Sequence, residues 1–95
     1  MLDKMKQMME MKKQMDRIKR ELDAITIEVT EVPGIKVNIT GSQEFKSFEI
    51  EEGKLSAGNK QNLQAELLRS VNAAIRKSQQ AAAQKAASAM QLPGM

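Results

Sequence analysis

The chain contains no cysteine and no histidine. Those absences exclude thiol catalysis, disulfides and zinc sites of the Cys/His type. They also remove the usual proton shuttle near neutral pH. Tryptophan and tyrosine are missing too, and there are only two phenylalanines, so no set of rings is available on which single-stranded bases could stack. No run of about 18 apolar residues occurs, which argues against a membrane-spanning helix. No secretory signal is legible, and a cytoplasmic protein is expected.

Large apolar residues are scarce as well. Outside methionine there are seven Leu, seven Ile, four Val and two Phe in 95 residues. That is a thin core for a small domain with no disulfide or metal to reinforce it, and such domains often gain burial by oligomerising. The expectation is one domain, residues 1–95, working as a homodimer.

What the chain does have is methionine and unevenly placed charge. Met5 to Met15 reads "MKQMMEMKKQM", five methionines and three lysines in eleven residues, with one acid. Residues 1–24 carry seven Lys/Arg against five Asp/Glu, residues 25–55 three against six, and residues 56–95 five against one. A polyanion would therefore meet the two ends and not the middle.

The periodicity predicts a helix over about 2–24. Met8, Met11, Met15, Ile18, Leu22 and Ile25 are spaced three and four apart and form one seam. Lys6, Lys13, Arg17 and Arg20 fall within about 60° of each other on the opposite side. The seam reads first as core or dimer packing. A soft groove for a protein partner is an alternative. So is a helix lying on lipid, although it would have no Trp or Phe anchor and would carry five acids.

Strands are predicted over about 25–51. "AITIEVTEV" alternates with Ile25, Ile27 and Val29 on one side. Pro33–Gly34 marks a turn. "IKVNIT" points Ile35, Val37 and Ile39 inward, Gly41 opens a second turn, and "EFKSFEIEE" points Phe48 and Ile50 inward. Alternation leaves Phe45 ambiguous. Three short alternating strands make an antiparallel meander with one wet face, which needs a helix or a second sheet over its apolar face.

A second helix is predicted over about 59–90, with Ser56 or Asn59 as its cap. Leu63, Leu67, Val71, Ala74, Ser78 and Ala81 follow one side, with Leu68 and Ile75 widening it. Arg69 and Arg76 lie opposite. Asn72 reads as a structural hydrogen-bonding residue within the packed helix. The Ala/Gln-rich tail favours helix but offers little to bury. At about 45 Å, such a helix would project from a compact body or pair with another chain. "LPGM" ends it.

Catalytic chemistry finds few candidates. The six serines have no histidine partner. Glu49, Glu51 and Glu52 gather at a strand end, but nothing in the sequence buries them or raises their pKa values. Gly34 and Gly41 are turn glycines and cradle no phosphate. A non-enzymatic chain is expected, with no cofactor, metal or small-molecule substrate.

Several features in order carry a resemblance. These are Val37, Ile39 and Gly41 in the hairpin; Ile50 and Glu51 at a strand end; Val71, Asn72 and Ala74 on the second helix; and Met90, Leu92, Pro93 and Gly94 near the end. Together with the Met/Gln/Lys helix, they make the chain similar to the YbaB/EbfC family of bacterial nucleoid-associated proteins. The loops "EEG" and "SAGNKQN" depart from that pattern. The resemblance implies an α+β fold, α-β-β-β-α, with a three-stranded antiparallel meander, long N- and C-terminal helices and a tweezer-like homodimer. It implies duplex DNA binding of low or variable sequence preference in the nucleoid.

Under that reading, Lys6, Lys13, Arg17 and Arg20, followed by Arg69, Arg76 and Lys77, are the candidates for neutralising phosphates. Met8, Met11, Met15, Ile18, Leu22, Leu67 and Val71 are the candidate core and dimer contacts. A rival reading is a protein-interaction module whose Met-rich helix grips a recombination or replication protein.

Overall fold

The computed structural model describes residues 2–90; the expected "LPGM" stop lies outside them. Helix α1 spans Leu2–Ala24. Strands β1 (Thr26–Val32), β2 (Ile35–Thr40) and β3 (Phe45–Ile50) follow. Two short 3-10 turns, Glu52–Lys54 and Ala57–Asn59, lead into helix α2, Lys60–Met90. The strands form one antiparallel sheet in the order β1-β2-β3. This is the α-β-β-β-α, α+β arrangement read from the sequence.

The first hairpin closes through Pro33–Gly34, between the paired residues Val32 and Ile35. Proline fixes its own φ, and Gly34 sits at φ 89°, a left-handed conformation that glycine enters without steric cost. Two irregularities in register then change which side chains face inward. The first lies between Val29 and Val32 in β1. Strict alternation would put Val32 on the wet face with Glu28 and Thr30, yet Val32 is buried beside Val29. The second lies opposite Asn38 and Ile39, where Asn38 pairs with Ser47 but Ile39 pairs with Phe45. The extra residue, Lys46, brings Phe45 to the same face as Phe48. Bulges that insert one residue have this effect on a period of two.

The core is small. Val29, Val32, Ile35, Val37 and Ile39 pack against Ala73 and Ala74 of α2, with Ile27, Leu63, Leu67 and Ile75 partly buried around them. Helix α2 approaches the sheet closely because its contact row is made of small residues. Ser70, Ala74 and Ser78 recur every four positions, with Ala73 beside them, and all four are buried. Both buried serine hydroxyls are satisfied. Ser70 Oγ donates to the Glu66 carbonyl at 2.8 Å. Ser78 Oγ donates to the Thr40 carbonyl at 2.8 Å and accepts the Gln43 N–H at 3.1 Å. The second pair ties α2 to the β2–β3 turn.

Helix α2 covers β1 and β2 and stops short of β3. Phe48, expected inside, is therefore 44% exposed, although it pairs with the fully buried Val37. Its strand turns the right face inward, but no helix lies above it. The start of α2 also differs from expectation. Ser56 makes no capping side-chain bond, and the Asn59 side-chain amide donates to the Lys54 carbonyl at 2.9 Å.

Helix α1 docks only by its last turns. Leu22 is its buried residue. The Gly41 N–H is shared between the carbonyls of Leu22 (3.0 Å) and Ile25 (3.2 Å). A Cβ at Gly41 would stand 2.8 Å from Leu22 Cδ2, so glycine is what allows this approach. Ser42 donates to the Asp23 carboxylate beside it, and Lys85 of α2 pairs with Glu21 at 3.2 Å. Beyond this base α1 runs free. The molecule measures 66 × 24 × 18 Å with a radius of gyration of 18.8 Å, against about 12 Å for a compact chain of this length.

Candidate nucleic-acid interface

The two helices present most of the chain's cations, and the fold leaves them unengaged. Lys6, Lys13, Arg17 and Arg20 on α1 are all exposed, as are Arg69, Arg76 and Lys77 on α2. Ion pairs among the described residues involve Lys36 with Glu28 and Glu49, Lys46 with Glu44, Lys54 with Glu66, and Lys85 with Glu21. None of the seven candidate cations takes part. The paired lysines sit on the sheet, in the loop after it, and where α2 meets α1. The unpaired cations among the described residues all lie on α1 or α2.

Within α1, the i, i+4, i+7 spacing of Lys13, Arg17 and Arg20 gathers them on one face. With Glu10 and Gln14 they line an open groove of about 590 Å³. Lys6 is one row further along the same face. The second set is separate: Arg69 and Arg76 occupy one face of α2, two turns apart, and Lys77 points about 100° away from Arg76. Four further cations, Lys4, Lys12, Lys19 and Lys60, are exposed and unpaired on the same helices. Selecting a single angular stripe passes over them. Lys12 and Lys19, seven residues apart, make a second row.

The wet face of the sheet has a different character. Lys36 lies between Glu28 (2.9 Å) and Glu49 (3.4 Å). The hydrogen bond to Glu28, helped by its charge and then by Glu49, raises the Lys36 pKa above the usual lysine value. With Glu28, Glu31, Glu44, Glu49, Glu51 and Glu52 in this middle region, the sheet would repel a polyanion that the helices attract.

Of the candidate core and dimer residues, Leu22 is buried, and Ile18, Leu67 and Val71 are partly covered. Met8, Met11 and Met15 are 70%, 63% and 67% exposed. Sequence periodicity finds their seam but not what covers it, and none of the described residues of the protomer does. Asn72 does not fill its expected structural role: it is exposed, and its side chain makes no hydrogen bond among the described residues. It shares an outward row of α2 with Leu68 and Arg76, four residues to either side, and that row faces solvent. Among the described residues no His/Cys/Asp/Glu cluster of metal-binding form occurs, and no helix is long and apolar enough to cross a membrane.

An open three-stranded sheet flanked by two long helices that carry unpaired cations defines a class of protein suited to a polyanionic ligand. Comparison with family models makes the assignment specific: the YbaB/EbfC DNA-binding family matches residues 1–93 of the 95. The chain belongs to that family, and DNA is the ligand class it indicates. Comparison with the curated proteins finds no matching relative.

Proposed function

We propose that the protein is a non-enzymatic, nucleoid-associated homodimer. It holds duplex DNA mainly through phosphate contacts, with low sequence specificity, and so affects nucleoid organisation or gene expression. The observation that carries this reading is the segregation of charge. Cations of the sheet region are engaged by carboxylates, whereas Lys6, Lys13, Arg17, Arg20, Arg69, Arg76 and Lys77 on the helices have no such partner. Phosphate can engage these cations without first displacing a carboxylate. Each neutralised phosphate releases a counterion, and contacts of this kind position a protein without reading bases.

A second copy of the chain supplies what the protomer lacks. Phe48 (44% exposed), Leu68 (64% exposed) and the Met8–Met11–Met15 seam leave large apolar side chains in solvent, and exposed apolar surface beyond scattered single residues marks an association face. Pairing two copies covers it and doubles the array of cations. The reaction-free mechanism needs no cofactor, and its site is the cytoplasmic nucleoid.

Charge reversal tests the reading. Arg17→Glu with Arg20→Glu is expected to weaken duplex binding at least about tenfold. Its salt dependence should become shallower, by about 0.9 in log–log slope for each phosphate that the variant no longer neutralises. Both residues are exposed and unpaired, so the circular dichroism spectrum should be unchanged. Retained DNA binding would contradict the proposal. It would favour the module whose α1 grips a recombination or replication protein.

A further inference from the structure

Methionine is the chain's one readily oxidised side-chain type, since cysteine, tryptophan, tyrosine and histidine are all absent. Five of the eight methionines stand on α1, and Met5, Met8, Met9, Met11 and Met15 are each 60–70% exposed in the protomer. We propose that these thioethers are oxidation sites, and that their conversion to sulfoxides releases the partner copy from α1 and loosens the protein's hold on DNA. This rests on the homodimer and DNA reading above.

The chemistry balances simply. A sulfur lone pair attacks one oxygen of a peroxide, the S–O bond forms as the O–O bond breaks, and the remaining oxygen leaves as water after proton transfer. Sulfur loses two electrons and the peroxide gains them. With hypochlorous acid the leaving group is chloride, and a proton is released. The sulfoxide replaces a flexible apolar tip with a polar, chiral one and is reversible by methionine sulfoxide reductases.

Position divides the five into two groups. Met8, Met11 and Met15 belong to the heptad seam with Ile18 and Leu22. Met5 and Met9 lie off it, toward the basic side. A second copy seated on the seam shields the first group and leaves the second open. Met5 and Met9 are thus the first sites reached in the dimer, and the seam methionines follow as the dimer opens. Once modified, the seam presents three strong hydrogen-bond acceptors at i, i+3 and i+7 to an apolar partner face, where an unsatisfied polar group is costly. Reassociation is then disfavoured.

The full-length protein, treated with graded hydrogen peroxide or hypochlorous acid, tests this in three readouts. Peptide mass mapping should find sulfoxide at Met5 and Met9 before Met8, Met11 and Met15. Sedimentation should show the dimer becoming monomer, with association weakened about tenfold or more. Duplex affinity should fall in parallel and return after reductase treatment. A variant with leucine at all five positions should keep its oligomeric mass and its DNA affinity under the same oxidant. Mapping and sedimentation are carried out without DNA. Failure of the untreated protein to bind duplex would therefore sink the DNA reading, while the order of oxidation and the dissociation would still be decided by those two readouts. Full oxidation of all five methionines with unchanged oligomeric mass would overturn the proposal, as would equal loss of association in the leucine variant.

Discussion

Helices α1 and α2 are both long and amphipathic, yet they do opposite things with their apolar faces. Helix α2, 31 residues, lays a row of Ser and Ala against the sheet and buries it. Helix α1, 23 residues, carries long thioether side chains and buries only Leu22 near its end. Small side chains let backbones approach and fix one geometry, as the Ser78 link to Thr40 and Gln43 does. Methionine is long, unbranched and adaptable, suited to a surface met by another molecule. The contrast teaches that α2 builds the protomer, while α1 is presented to whatever the protomer meets.

Substitutions can break this contrast or sharpen it. The largest effect is expected under α2. Ile39→Ala removes a fully buried side chain at the centre of the sheet and should cost about 2–5 kcal/mol in urea denaturation. Ser78→Ala comes next, at about 1–3 kcal/mol, because it leaves the Thr40 carbonyl and the Gln43 N–H without their partner. On α1 the expectation reverses. Met11→Gln, at protein concentrations where copies do not associate, should change stability by under about 0.5 kcal/mol, while weakening association measured by sedimentation. A destabilisation as large as that at Ile39 would mean that α1 is part of the protomer's core after all.

The smallest effect concerns the wet face of the sheet. Lys36 has its pKa raised in the folded chain by Glu28 and Glu49. Its stabilising contribution is therefore fully present below the unfolded value of 10.5 and is lost as pH rises through the higher folded value. The group is exposed, so the change is small. Lys36→Met should flatten the alkaline limb of a melting-temperature profile slightly; an unaltered limb would mean that the two ion pairs do not persist in solution.

Much of the architecture is legible in the sequence because it rests on periodicity. The helix seam with its uninterrupted run, the Pro33–Gly34 turn and the alternation of Ile35, Val37 and Ile39 each have a local cause. What is not legible is non-local. Val32 and Phe45 face inward only because bulges shift the register, and nothing in "TEV" or "EFK" announces an extra residue. Phe48 is exposed because of where α2 ends up lying, which its own strand does not determine. Angular grouping finds the candidate cations. It does not find their freedom from carboxylates, since the sheet-region pairings of Lys36 and Lys54 depend on the folded chain. Lys12 and Lys19 escape it because they form a separate row of α1, Lys4 because it falls on the side of the methionine seam, and Lys60 because it starts α2 on the side away from Arg69 and Arg76.

The central claim is that the unpaired cations of the two helices hold duplex DNA by its phosphates. Its most direct test is fluorescence anisotropy of a labelled random-sequence duplex, titrated with the protein at several salt concentrations. The account predicts binding whose logarithm falls steeply and linearly with the logarithm of salt, by about 0.9 for each phosphate neutralised, and little change when the sequence is scrambled. No binding even at low salt would contradict it.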